Sequence, residues 1–220
     1  RSSTDSLNVY IGNVCTQENR LEKMKFFFKT LLEIFKSKAK QDRVTVPLMK
    51  TLEGLLTNIV IPFDEMNDFL EEIYSLTRTE AFKSKNLVKV ATAVGVYMGL
   101  LNFKPLREKS LTILLTYLCH SYPKVRKTAA EKLYLFFVSL DDPMDVVKDD
   151  DQYDEVLVIL TETAWMKPVA QIRDTRNKLF PILGIEPPAK KEKTSESTEG
   201  AKKKEEDHSY ATLLKEAGYQ

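Results

Sequence analysis

The sequence has 220 residues, of which 33 are basic and 32 acidic, leaving a net charge of +1, and 43% are hydrophobic. That balance provides no overall field toward nucleic acid or an anionic membrane surface, while the length suffices for a sizeable core in one elongated domain or two small ones. Only seven glycines and nine prolines are present, so the composition predicts an all-α chain rather than a turn-rich β architecture.

Two cysteines, Cys15 and Cys119, cannot form a disulfide framework, and no charged-apolar-small leader opens the chain, so a cytoplasmic setting is expected. The first residue is Arg1 rather than Met, which suggests a part of a longer polypeptide. The longest uncharged apolar run, VATAVGVYMGLLNF after Lys89, is shorter than the roughly 20 residues that span a bilayer. It reads as a buried helix, and its Gly95 and Gly99 as points of close helix packing rather than a membrane dimerisation motif.

In chain order, residues 19–38 carry Leu21, Met24, Phe28, Leu31, Leu32 and Phe35 at the three-and-four spacing of an amphipathic helix. Val44, Leu48, Leu52, Leu55 and Leu56 predict a second helix, with Pro47 near its start. A third is expected over 63–77, with Asp64 as a cap and Phe69, Ile73 and Leu76 as its stripe, and a fourth runs from Ser84 to Leu101. Two more span 105–120 and 123–140, and a last pair spans 150–164 and 168–183, where Gly184 is placed to end the helix.

Eight helices in four pairs raise the question of a repeat. The second helices begin near Arg43, Ser84, Pro123 and Pro168, a period of roughly 40 to 45 residues, the range of HEAT and armadillo units. PKVRKTAAEKLY and PVAQIRDTRNKLF share a proline, an aliphatic-arginine step at Val125-Arg126 and Ile172-Arg173, and a leucine six or seven residues on. The expected fold is therefore an α-solenoid of about four HEAT-like pairs over residues 1–187, a shape that serves binding better than chemistry. Residues 188–207 are charged and lack large apolar groups, which predicts a flexible linker. The last segment, 208–220, places Tyr210, Leu213, Leu214 and Ala217 at helical spacing.

Candidate chemistry is sparse. Cys119 and His120 are adjacent on a predicted helix, so their side chains point about 100° apart and do not form a thiol–base pair. Cys119 is expected in the core and His120 at the helix end. The aspartates of 141–155 do not follow a calcium-loop register and are expected to cap helices. No close Cys/His pairing for zinc and no glycine-rich phosphate loop is found, so neither enzyme activity nor a cofactor is expected. Arg126 and Arg173 are read as residues that bond the neighbouring repeat, with partner contact the alternative. Trp165 is assigned to inter-helix packing.

RVTVPLMKTLEGLL (43–56), LCHSYPKVRKTAAEKLY (118–134), DEVLVILTETAW (154–165) and IRDTRNKLFPILGI (172–185) together resemble the C-terminal region of tubulin folding cofactor D, the tubulin-specific chaperone D family. The resemblance spans residues 1 to about 187 and implies a non-enzymatic HEAT-repeat chaperone of the cytoplasm and cytoskeleton, with a link to centrosomes. It implies as partners β-tubulin and the αβ-tubulin heterodimer, cofactors E and C and an Arf-like small GTPase, with no nucleic acid and no membrane insertion. Set against tubulin's acidic surface, exposed lysines near the second helices, Lys50, Lys85, Lys89, Lys124 and Lys127, become candidate contacts. The alternative is a structural end-piece or centrosome-targeting module that does not touch tubulin.

Overall fold

A computed structural model describes residues 2–14, 19–58 and 61–187. The predicted linker at 188–207, the predicted helix at 208–220 and Cys15 lie outside the described residues. Among the described residues are nine α-helices and no strand: α1 (Ser2–Val14), α2 (Arg20–Ser37), α3 (Asp42–Asn58), α4 (Phe63–Ala81), α5 (Leu87–Leu100), α6 (Lys104–Tyr117), α7 (Pro123–Val138), α8 (Asp150–Glu162) and α9 (Val169–Ile182). The eight predicted helices are present as α2 to α9, and α1 is an addition. Its face is short of apolar residues, but Ile11 is fully buried and docks the helix.

Local chemistry sets the helix ends. α5 starts three residues later than Ser84 because the Asn86 side chain accepts the backbone N–H groups of Val88 at 3.0 Å and Lys89 at 3.2 Å. Asp142 and Asp149 do cap helical turns, accepting from Met144 N and Gln152 N, while α4 begins without a side-chain cap and Asp64 lies within its first turn. Gly184, at φ 63°, lets α9 close with Gly184 N bonded to Pro181 O and Ile185 N to Phe180 O. Pro47 is not at a helix start, because α3 begins at Asp42 and holds the proline inside it. Its ring removes the bond to the Arg43 carbonyl.

Along the chain α3 packs on α1, α5 on α3 and α7 on α5, while α2 packs on α4, and consecutive helices also meet from α1 to α3 and from α4 to α9. This is the two-layer stacking of helical-pair repeats. α5 sits at its centre, touching α3, α4, α6 and α7, so Val90, Ala93, Val94, Val96, Tyr97 and Leu100 are all fully buried. That explains a sequence that is apolar all round rather than striped. Gly95 and Gly99 face α3: a Cβ at residue 95 would collide with the Glu53 carboxyl, and one at residue 99 would lie 2.6 Å from Leu56 Cβ. The packing role expected of this glycine pair is the one it has.

The stacking changes at the last pair. α8 packs on α7, but α9 packs on α8 and α6. The segment between α7 and α8 accommodates this turn through a 3-10 turn at Pro143–Asp145, the buried Val147 and an ion pair from Asp145 to Lys104 at the start of α6.

Candidate functional site

Two polar junctions hold successive pairs in place. Arg126, in the first turns of α7 and only 2% exposed, donates from Nε to Trp165 O at 2.7 Å, from Nη1 to His120 O at 2.7 Å and Ser121 O at 3.0 Å, and from Nη2 to Lys167 O at 2.7 Å and Met166 O at 3.3 Å. One guanidinium thus ties the α6–α7 turn to the α8–α9 turn, using the planar fork that lysine lacks. Trp165 is buried and anchors its own turn by donating Nε1–H to Leu160 O at 2.9 Å.

The second junction overturns the expectation that Lys89 is exposed. It is 5% exposed, with Nζ 2.5 Å from Asp42 and 2.6 Å from Glu80. Asp42 also accepts from Asn86 Nδ2 at 2.6 Å, and Glu80 from the Lys40 backbone N–H at 2.6 Å. The α2–α3 turn and the start of α5 are joined here, so Lys89 is committed to the fold. Hydrogen bonds from Lys89 and Asn86 hold the Asp42 carboxyl below its usual range. Burial alone would lower the Lys89 ammonium, but the bonds to Asp42 and Glu80 outweigh it and raise it.

Arg173 does not take the part that Arg126 takes. It is exposed, and among the described residues no further helical turn follows α9 to supply carbonyls. Arg176, one turn on, is the arginine that turns inward, with its guanidinium 5.1 Å from the Phe180 ring.

Of the remaining lysines, Lys50 and Lys124 come together. They line a cleft of about 480 Å³ over α3, α5 and α7 whose walls include Leu87, Val88, Ala91 and Val125. Leu87 and Val88 are 39% and 55% exposed, giving an apolar strip with an exposed ammonium on either side. Along the cleft Glu53 of α3 reaches across α5 to Lys132 of α7 at 2.5 Å, and Gly95 leaves the space for it. Glu53 and Lys132 neutralise each other, so Lys50 and Lys124 give the cleft its positive sign. Lys85 is exposed in the turn before α5, and Lys127 lies over the separate α7–α8 cleft, 3.7 Å from Glu131.

Leu87, Val88 and Glu53 were not singled out from the sequence. The signal was present in Leu87 and Val88, since an Asn cap fixes the phase of the first turn, but nothing local tells that Glu53 crosses a neighbouring helix.

Cys119 is half-buried rather than part of the core, because α6 ends at Tyr117 and the cysteine falls in the following turn. His120 Nδ1 accepts the Tyr122 backbone N–H at 3.2 Å, and burial, aided by the Arg126 charge, lowers its pKa. Among the described residues no group of three or more His, Cys, Asp or Glu side chains is placed to hold a metal ion, and no helix is long and apolar enough to cross a membrane.

No solved structure matches the chain. Residues 1–89 match the family model described as tubulin folding cofactor D C terminal, a span that runs from α1 to the start of α5 and includes Lys50, Glu53, Leu87 and Val88 of the cleft. Lys124, Val125 and Lys132 on α7 lie beyond the matched residues. Over residues 1–89 the chain is therefore similar to the C-terminal region of tubulin folding cofactor D, the family its sequence resembles.

Proposed function

We propose that this chain is a non-enzymatic interaction module of the tubulin folding pathway, and that the cleft over α3, α5 and α7 receives an acidic segment of the αβ-tubulin heterodimer, through β-tubulin. The observation that carries this reading is the pairing of Lys50 and Lys124 across the apolar Leu87–Val88 strip. An apolar floor supplies burial, and two cations in no ion pair among the described residues select an acidic partner and speed its approach. Cofactors E and C and the Arf-like GTPase are the further partners of this reading, with contacts outside the cleft. The setting is cytoplasmic and cytoskeletal.

A second reading makes the chain a structural end-piece or centrosome-targeting module that does not contact tubulin. It is favoured by the exposed aromatics Tyr10 and Phe26, which flank Phe27 where α1 meets α2 and suit stacking of further helices. Binding of αβ-tubulin to the full chain separates the two. Under the first reading Lys50→Glu with Lys124→Glu weakens binding; under the second there is no binding to weaken.

A further inference from the structure

A second cleft, of about 680 Å³, opens over α4, α5 and α6, within the ~300–1,000 Å³ usual for ligand sites. Its lining is aromatic: Tyr74 and Tyr97 meet edge to face at 5.7 Å, Tyr97 and Tyr117 are 6.2 Å apart, and Phe82 and His120 complete it. Tyr97 is fully buried, and its hydroxyl has no hydrogen-bond partner among the described residues. Leaving a buried phenol without a partner is costly, so its position at this cleft calls for an acceptor from elsewhere.

The chemistry around it specifies that acceptor. Burial raises the Tyr97 phenol and pushes Tyr117 up to about 12, so both remain protonated donors. With Nδ1 of His120 accepting a backbone N–H, the neutral ring carries its proton on Nε2, a third donor. Arg78, Lys83 and Glu108 are exposed along the cleft, whereas Lys109 is matched by Glu71 at 2.7 Å. The cleft thus has one positive charge in excess, donors at its floor and aromatic walls.

We propose that the α4–α5–α6 cleft binds a segment of a partner protein that inserts an aromatic side chain flanked by carboxylates, with an acceptor reaching Tyr97 and a carboxylate meeting Arg78 and Lys83. This surface is separate from the Lys50–Lys124 cleft and does not depend on it.

Cys119 lines the cleft and reports its occupancy. In the full chain with Cys15→Ser it is the only remaining thiol, because the sequence has two cysteines. The probes are fluorescein-labelled, acetylated and amidated peptides: Glu-Glu-Phe-Glu-Glu, its Gln-Gln-Phe-Gln-Gln counterpart, and Glu-Glu-Ala-Glu-Glu. The expected result is binding of the first, seen by anisotropy, with slowed alkylation of Cys119, and at least tenfold weaker binding of the other two. Tyr97→Phe, which deletes only the unpartnered hydroxyl, leaves the melting temperature unchanged or higher and weakens the first peptide about tenfold. Arg78→Glu, at an exposed position, weakens it as well. The proposal is overturned if no peptide binds, if the neutral or alanine peptide binds as well as the first, if binding leaves Cys119 alkylation unchanged, or if either variant binds as the parent does.

Discussion

Truncating Arg126 tests how the last helical pair is held. Its guanidinium makes five hydrogen bonds to backbone carbonyls, three of them in the α8–α9 turn. At ~1.5–3 kcal/mol for each bond to a charged donor the sum would exceed the stability of many domains, but removing a guanidinium from water costs several kcal/mol and offsets most of it. Breaking such a buried arrangement from one side costs about 3–5 kcal/mol, so Arg126→Ala is expected to lose about 4 kcal/mol in urea unfolding. The melting temperature should fall on the order of 10 °C. Arg126→Lys keeps the charge but presents one nitrogen to carbonyls spread over two turns, so it should recover less than half of the loss. Hydrogen exchange should show the α8–α9 turn opening first. A loss below about 1 kcal/mol for Arg126→Ala, or full recovery by Arg126→Lys, would refute the claim that the forked geometry joins the pairs.

The two glycines of α5 should respond differently to alanine. Gly99→Ala drives a Cβ against Leu56 Cβ on a packed helix and should destabilise despite the ~1 kcal/mol gain in helix propensity. At residue 95 the obstacle is the end of the flexible Glu53 side chain; Gly95→Ala should break the Glu53–Lys132 pair while leaving stability near the parent value, as measured by thermal unfolding. His120 should make stability depend on pH. Its folded pKa lies below the ordinary value of 6.5, so the unfolded chain binds the proton first and stability falls as pH drops from about 6.5 toward the folded pKa. His120→Asn, whose side-chain oxygen can accept the Tyr122 N–H, should flatten urea midpoints compared at pH 7.5 and 5.5; an equal slope in the variant would assign the effect elsewhere.

Helices with a long apolar stripe, such as Met24 to Phe35 in α2, were legible because burial on one face imposes the 3.6-residue period. α1 was not, since only a few apolar residues punctuate SSTDSLNVYIGNV. Lys89 was misplaced for a different reason: α5 is buried on nearly every side, so no polar face sets the phase of its one lysine. Arg126 could be read from the proline-to-arginine step, but the same pattern at Arg173 failed because the bonds depend on a turn that follows, not on the helix itself. The Lys50–Lys124 cleft required stacking order, which brings residues of α3 and α7 together across α5 and leaves no trace in local sequence.

The proposed tubulin contact rests on the basic, apolar cleft over α3, α5 and α7. The most direct measurement is the affinity of the full chain for αβ-tubulin, compared with Lys50→Glu/Lys124→Glu and with Lys85→Glu/Lys127→Glu, which makes the same charge change outside the cleft. The substituted cleft pair is expected to weaken binding at least tenfold and to flatten its salt dependence relative to the parent and the control, while the control pair changes affinity less than threefold. Equal weakening by both pairs, or no binding by the folded parent chain, would contradict it.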